Sequence, residues 1–277
     1  MHVFSPVEGP VSSPPARGAR SSLWGRVGRH WSLVAGALLA LIAAGDDLGG
    51  APAKPTSEFH FVRMFYHDGA YGRSYRGFDR SWTTDYPEAE FHFHLGVSRL
   101  TRVDIGEQAR MLRVTDDAIF DFPWLYAVEV GRWHLDDTEA ARLREYLDRG
   151  GFFMVDDFHG TLQWEGFVES MQRVFPDRPI VEISEGDEVF HVLYELNQRI
   201  QIPGIAALMS GRTYEQDGVT PHWRGIYDDH GRLMVAINFN MDLGDAWEHA
   251  DDPRYPEPMT NLAYRFAVNY VVYAMTH

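Results

Sequence analysis

The stretch DTEAARLREYLDRGGFFMVDDFHG (Asp137–Gly160) carries the fold. Ala140, Leu143, Tyr146 and Leu147 recur at helical spacing, and Asp136 or Asp137 starts the helix. Gly150-Gly151 ends it, since glycine takes the backbone conformation that closes a helix. Phe152–Val155 then runs apolar without alternation, the pattern of a strand buried on both faces of a parallel sheet. Upstream, Leu125–Val130 (LYAVEV) reads as another strand. Strand, amphipathic helix and buried strand form a βαβ unit, so the chain is expected to be an α/β layer protein with a mostly parallel sheet.

Toward the N-terminus, His60–Tyr66 (HFVRMFY) predicts a first strand, and His67–Trp82 a polar loop rich in Gly and Arg. Asp85 is expected to cap a helix running to about Leu100, with Pro87 in the first turn and Glu88 as its capping-box partner. Short strands are expected at Arg102–Ile105 and Met111–Thr115. Beyond the central unit, the pattern predicts a helix over Trp164–Phe175, a strand at Ile180–Ile183 and irregular chain over residues 184–222. A β-hairpin follows, with arms Arg224–Asp228 and Arg232–Asn240 around Asp229-His230-Gly231. The last helix, Glu257–Met275, carries a core stripe that includes Met259, Leu262, Phe266 and Tyr270.

The chain has 277 residues, net charge −15 and no cysteine. The absence of thiols removes disulfides, Cys-ligated zinc, iron–sulfur clusters and cysteine nucleophiles. The first 53 residues hold four Arg against three acids, so the remainder is more acidic than the whole. Such a body repels phosphate backbones, and nucleic acid is not an expected partner. Residues 1–30 read as a disordered basic n-region. Arg26, Arg29 and His30 precede the apolar run Trp31–Ala44 (WSLVAGALLALIAA), with Ala51-Pro52-Ala53 as a cleavage motif. Residues 31–53 are therefore expected to be a signal peptide or an N-terminal transmembrane anchor. The body, one α/β domain over residues 59–277, is expected to be exported and periplasmic, touching a membrane only through its N-terminal segment.

In open α/β sheets ligands bind beyond the carboxyl ends of the strands. After Phe152–Val155 come Asp156, Asp157 and His159, where two carboxylates leaving a buried strand suit acid–base chemistry or a divalent metal. After the hairpin come Asn238, Asn240, Asp242 and Asp245, oxygen donors for a hard cation or a polar sugar. Arg73, in the first loop, and Trp133, after the LYAVEV strand, complete the candidate ligand-binding set. There is no GxGxxG, GxxxxGK, HExxH or GxSxG motif.

TDYPEAEFHF, GGFFMVDDFHG, FPDRPI, HWRGIYDD, VAINFNMDLGDAWE and YRFAVNYVVYAMTH together resemble a bacterial family catalogued as domain of unknown function 4159. That family's fold is similar to the class I glutamine amidotransferase-like group, including trehalose-utilisation-like proteins. The resemblance implies a flavodoxin-like parallel sheet with helices on both faces, and a nucleophilic Cys where Asp156 or Asp157 stands here. A carboxylate cannot form the thioester, so amidotransferase chemistry is excluded. Two readings stay open. One is a non-catalytic module binding a sugar, another small polar ligand, or a periplasmic or membrane protein. The other is a metal-assisted hydrolase using Asp156, Asp157, His159 and the Asn240/Asp242/Asp245 group.

Overall fold

A computed structural model describes residues 57–69, 80–197 and 199–277. The basic n-region, the signal or anchor segment and Arg73 lie outside these residues. Residues 54–277 form one compact unit.

Strands β1 (Val62–Phe65), β2 (His67–Asp68), β3 (Arg110–Arg113), β4 (Trp124–Val128), β5 (Trp133–His134), β6 (Phe152–Asp156), β7 (Val181–Glu182), β8 (His222–Tyr227) and β9 (Leu233–Phe239) build two sheets. The main sheet has the order β3-β1-β4-β6-β9-β8-β7, and β2 and β5 form a small antiparallel ribbon. Strands β3, β1, β4, β6 and β9 are parallel; β8 pairs antiparallel with β9 and with β7. Counted along the chain, the five parallel strands follow 2-1-3-4-5, the flavodoxin-like order with its switch between β1 and β4.

The helices are α1 (Glu88–Leu100), α2 (Asp137–Asp148), α3 (Gly160–Val174), α4 (Ile205–Met209), α5 (Leu243–Glu248) and α6 (Glu257–Thr276). Alternation along β6 divides the core in two. Phe152 and Met154 face a cluster with Phe93 of α1, Trp247 of α5 and Phe266 of α6. Phe153 and Val155 face Leu143 of α2 and Phe167 of α3. Both faces of the sheet are therefore covered, which is why β6 reads as an unbroken apolar run. The predicted α2 is closed by a capping box in which Asp136 accepts from Glu139 N–H and Glu139 answers at Asp136 N–H.

Several expectations need correction. Residues 102–105 are not a strand; only Ile105 makes an isolated bridge, to Phe59. Asp85 does not cap α1 with its side chain; the N-cap is Pro87, and Asp85 takes a left-handed backbone (φ 63°) that turns its carboxylate elsewhere. Helix α3 starts at Gly160, four residues early, because Asp217 from a distant loop accepts from Thr161 N–H (2.9 Å) and caps it in trans. Residues 184–222 include the short α4, and a further helix, α5, follows β9.

Candidate functional site

Three adjacent parallel strands end in residues with left-handed backbone. Glu129 follows β4 (φ 55°), Asp157 follows β6 (φ 49°) and Asn240 follows β9 (φ 63°). The turns are laced together: Glu129 N–H donates to Asp156 C=O (3.1 Å), Asp157 N–H to Met241 C=O (3.1 Å) and Asn240 N–H to Phe158 C=O (3.0 Å). This conformation costs of order 1–3 kcal/mol for a non-glycine residue, less for Asp and Asn, and persists only where the surroundings over-determine it.

Asp157 therefore sits at the tip of β6. Its carboxylate lies among those of Asp85, on the loop before α1, and Asp242, the N-cap of α5. One oxygen from each lies within 4.8 Å of the other two. Two glycines keep this space open. A Cβ on Gly244 would fall 2.4 Å from Asp85 Oδ2 and 2.8 Å from the Tyr126 hydroxyl. A Cβ on Gly204 would fall 2.6 Å from Asp242 Oδ2, 3.0 Å from Glu215 Oε1 and 3.1 Å from Asp245 Oδ2. Asp85 Oδ2 and the fully buried Tyr126 hydroxyl make no hydrogen bond among the described residues. Both border the same space, and buried polar atoms without protein partners are rare, costing about 1–3 kcal/mol each.

The electrostatics agree. Burial, and then the charges of Asp157 and Asp245, hold the Asp85 and Asp242 carboxyls well above the ordinary carboxylate range. Burial pushes Asp245 up to about 6 and Glu129 up to about 9. The fully buried guanidinium of Arg63 offsets part of this at Asp85, but its Nε is taken by Glu90 and its Nη1 by the carbonyls of Trp82 (3.0 Å) and Thr84 (2.9 Å).

The other predicted residues have distinct places. Asp156 is wholly buried on the α5 side, its Oδ2 accepting from Leu243 (2.7 Å) and Gly244 (2.9 Å) N–H. It anchors the loop that carries Asp242. His159 packs behind Asp157, with Nε2 3.0 Å from Asp157 Oδ1 and Nδ1 unpartnered. Asp245 accepts from Ile205 N–H, and its Oδ1 lies 3.2 Å from His249. Asn238 is a core residue, donating to Val155 C=O (3.2 Å) and accepting from the Tyr270 hydroxyl (2.9 Å). Asn240 joins loops, accepting from Gly160 N–H (2.8 Å) and donating to Thr220 C=O (2.7 Å). Trp133 is also core, stacked on Phe167 at 5.5 Å rather than presented to a ligand.

Asp85 is the member that sequence reading missed as a site residue. Its signal lay in TDYPEAEFHF, where a helix-cap reading absorbed it. Residues Asp245, Glu248 and His249 form a second acidic group with ligand atoms within 4.8 Å of one another.

Among the described residues no helix is long and apolar enough to cross a membrane. No curated protein matches the chain. A family model spanning most of the compact unit does match, over residues 69–275, and the chain belongs to that family, described as Domain of unknown function (DUF4159).

Proposed function

We propose that the protein is a divalent-cation-dependent hydrolase on a glutamine amidotransferase-like scaffold, with Asp85, Asp157 and Asp242 as the cation ligands. The observation that carries this reading is the convergence of three carboxylates from three elements on one space, bordered by unpartnered polar atoms. Carboxylate oxygens alone suit a hard cation, Mg, Mn or Ca, and three ligands leave positions for water and substrate. Such a cation lowers the pKa of bound water and polarises a substrate oxygen. His159 is hydrogen-bonded to Asp157 and keeps Nδ1 without a partner, which suits proton transfer next to the ligand set. The strained tip of β6 is where an amidotransferase would carry its thiol, and a carboxylate there favours metal chemistry over acyl transfer. Export to the periplasm remains part of this proposal, on the strength of the apolar run Trp31–Ala44.

The test uses the full chain. Elemental mass spectrometry and melting with Mg, Mn and Ca are expected to find one bound cation. The expected rise in melting temperature is about 5–10 °C at a hundredfold excess over Kd. Asp85→Asn and Asp157→Asn should abolish that rise while raising the cation-free melting temperature, because each relieves buried repulsion. No cation and no shift sinks the metal centre. Cation binding without cation-dependent cleavage of nitrophenyl esters or phosphoesters would instead favour the non-catalytic binding module.

A further inference from the structure

At the opposite, N-terminal edge of the parallel strands lies a cavity of about 710 Å³. His60 precedes β1, Arg110 opens β3, and His94 and Ser98 stand one turn apart in the C-terminal half of α1; all four line it, with Arg102, Asp104 and Glu107. His60 is only 6% exposed, and neither ring nitrogen makes a well-formed hydrogen bond, although the Gln108 backbone carbonyl lies beside the ring. The Nδ1 of His94 is also buried and unpartnered. Gly106 is what lets the His60 ring lie there, since a Cβ would fall 2.2 Å from its Cε1 and Nδ1.

In this acidic chain ten arginines, Arg63 and Arg144 among them, pair with carboxylates. Arg102 and Arg110 are among the several arginines that take part in none of the ion pairs found among the described residues, and burial, then the charge of Arg110, hold the His60 imidazole below its ordinary pKa. Two guanidinium groups, and two imidazoles with buried nitrogens that lack a well-formed bond, outnumber the carboxylates Asp104 and Glu107 as donors here and suit an acceptor-rich ligand. We infer that this cavity is a binding site for a small oxyanion, a carboxylate or phosphate group of an organic ligand, distinct from the acidic strand-end site. Arg102 and Arg110 supply charge, His60 and His94 supply N–H donors, and Asp104 faces a hydroxyl or ammonium on the same ligand.

The experiment is titration calorimetry and thermal melting of the full chain, without divalent cations, in inorganic phosphate and separately in succinate. Sodium chloride at matched ionic strength is the reference. A saturable effect beyond chloride is expected, and Arg110→Gln should weaken it about tenfold. Arg110 is exposed, so that variant keeps the fold, whereas His60→Gln tests the buried donor. Response to phosphate alone assigns a phosphate ligand, response to succinate alone a carboxylate, and response to both an oxyanion of either kind. The same response as chloride, or one that survives Arg110→Gln and His60→Gln undiminished, overturns the site.

Discussion

Glu129 and Asp157 show how single residues at the strand ends hold conformations that the chain alone would avoid. Asp and Asn tolerate left-handed backbone because their short side chains bond locally, but Glu129 has no such help. Its carboxylate reaches Arg132 at 3.1 Å, yet burial and the charge of Asp157 push its pKa up to about 9 from an ordinary value of 4.5. Between those values the folded protein keeps a proton that the unfolded chain has released. The contribution to stability is therefore complete below the ordinary value and lost as pH rises through about 9. Melting in chelator from pH 5 to 9 should fall more steeply for the native protein than for Glu129→Gln. The gap should widen steadily across this range and amount to several kcal/mol at pH 9. Parallel curves would show that Glu129 ionises normally.

At the scale of elements, the placement of α5 governs the acidic site. Its N-terminus is held from below by Asp156 Oδ2, and its C-terminal carbonyls, Trp247 (2.9 Å) and Glu248 (3.0 Å), meet His92 Nδ1 of α1. Phe93 packs on Trp247 at 4.9 Å and on Trp124 at 5.5 Å, locking α1 and α5 to β4. These contacts bring the loop carrying Asp85 to the loop carrying Asp242. Asp156→Ala would strand two buried N–H groups and should cost about 2–4 kcal/mol in denaturant unfolding. Asp156→Asn keeps an acceptor, and burial already holds the Asp156 carboxyl well above its ordinary pKa and favours the neutral form, so this variant should stay within about 1 kcal/mol of the native protein. A large loss in Asp156→Asn would mean that the charge itself holds α5.

Across the whole molecule the two proposed sites occupy opposite edges of one sheet, with the strands of a close-packed core between them. Energetic effects at separated sites with no shared partner add. The Mg-induced rise in melting temperature should therefore be unchanged in Arg110→Gln, and the phosphate response unchanged in Asp157→Asn. Cross-effects in either variant would reveal coupling along β1, which leads from His60 toward the strand-end site.

The βαβ unit, the C-terminal hairpin, the last helix and the edge that carries the acids were all legible in the chain, because periodicity and glycine stops are local properties of sequence. That Asp157 and Asp242 belong to a polar strand-end cluster was legible too. Their convergence with Asp85 was not. Asp85 stands 72 residues before Asp157, and a lone Asp before Tyr-Pro-Glu scores as a helix cap until α1 is packed on α5. The same limit explains Asn238 and Trp133, polar or amphipathic residues whose partners, Tyr270 and Phe167, come from other elements. It explains α3 as well, whose first turn depends on Asp217, 56 residues away. Local propensity sets which elements form, whereas hydrogen-bond satisfaction and charge burial depend on what the folded chain places opposite each group.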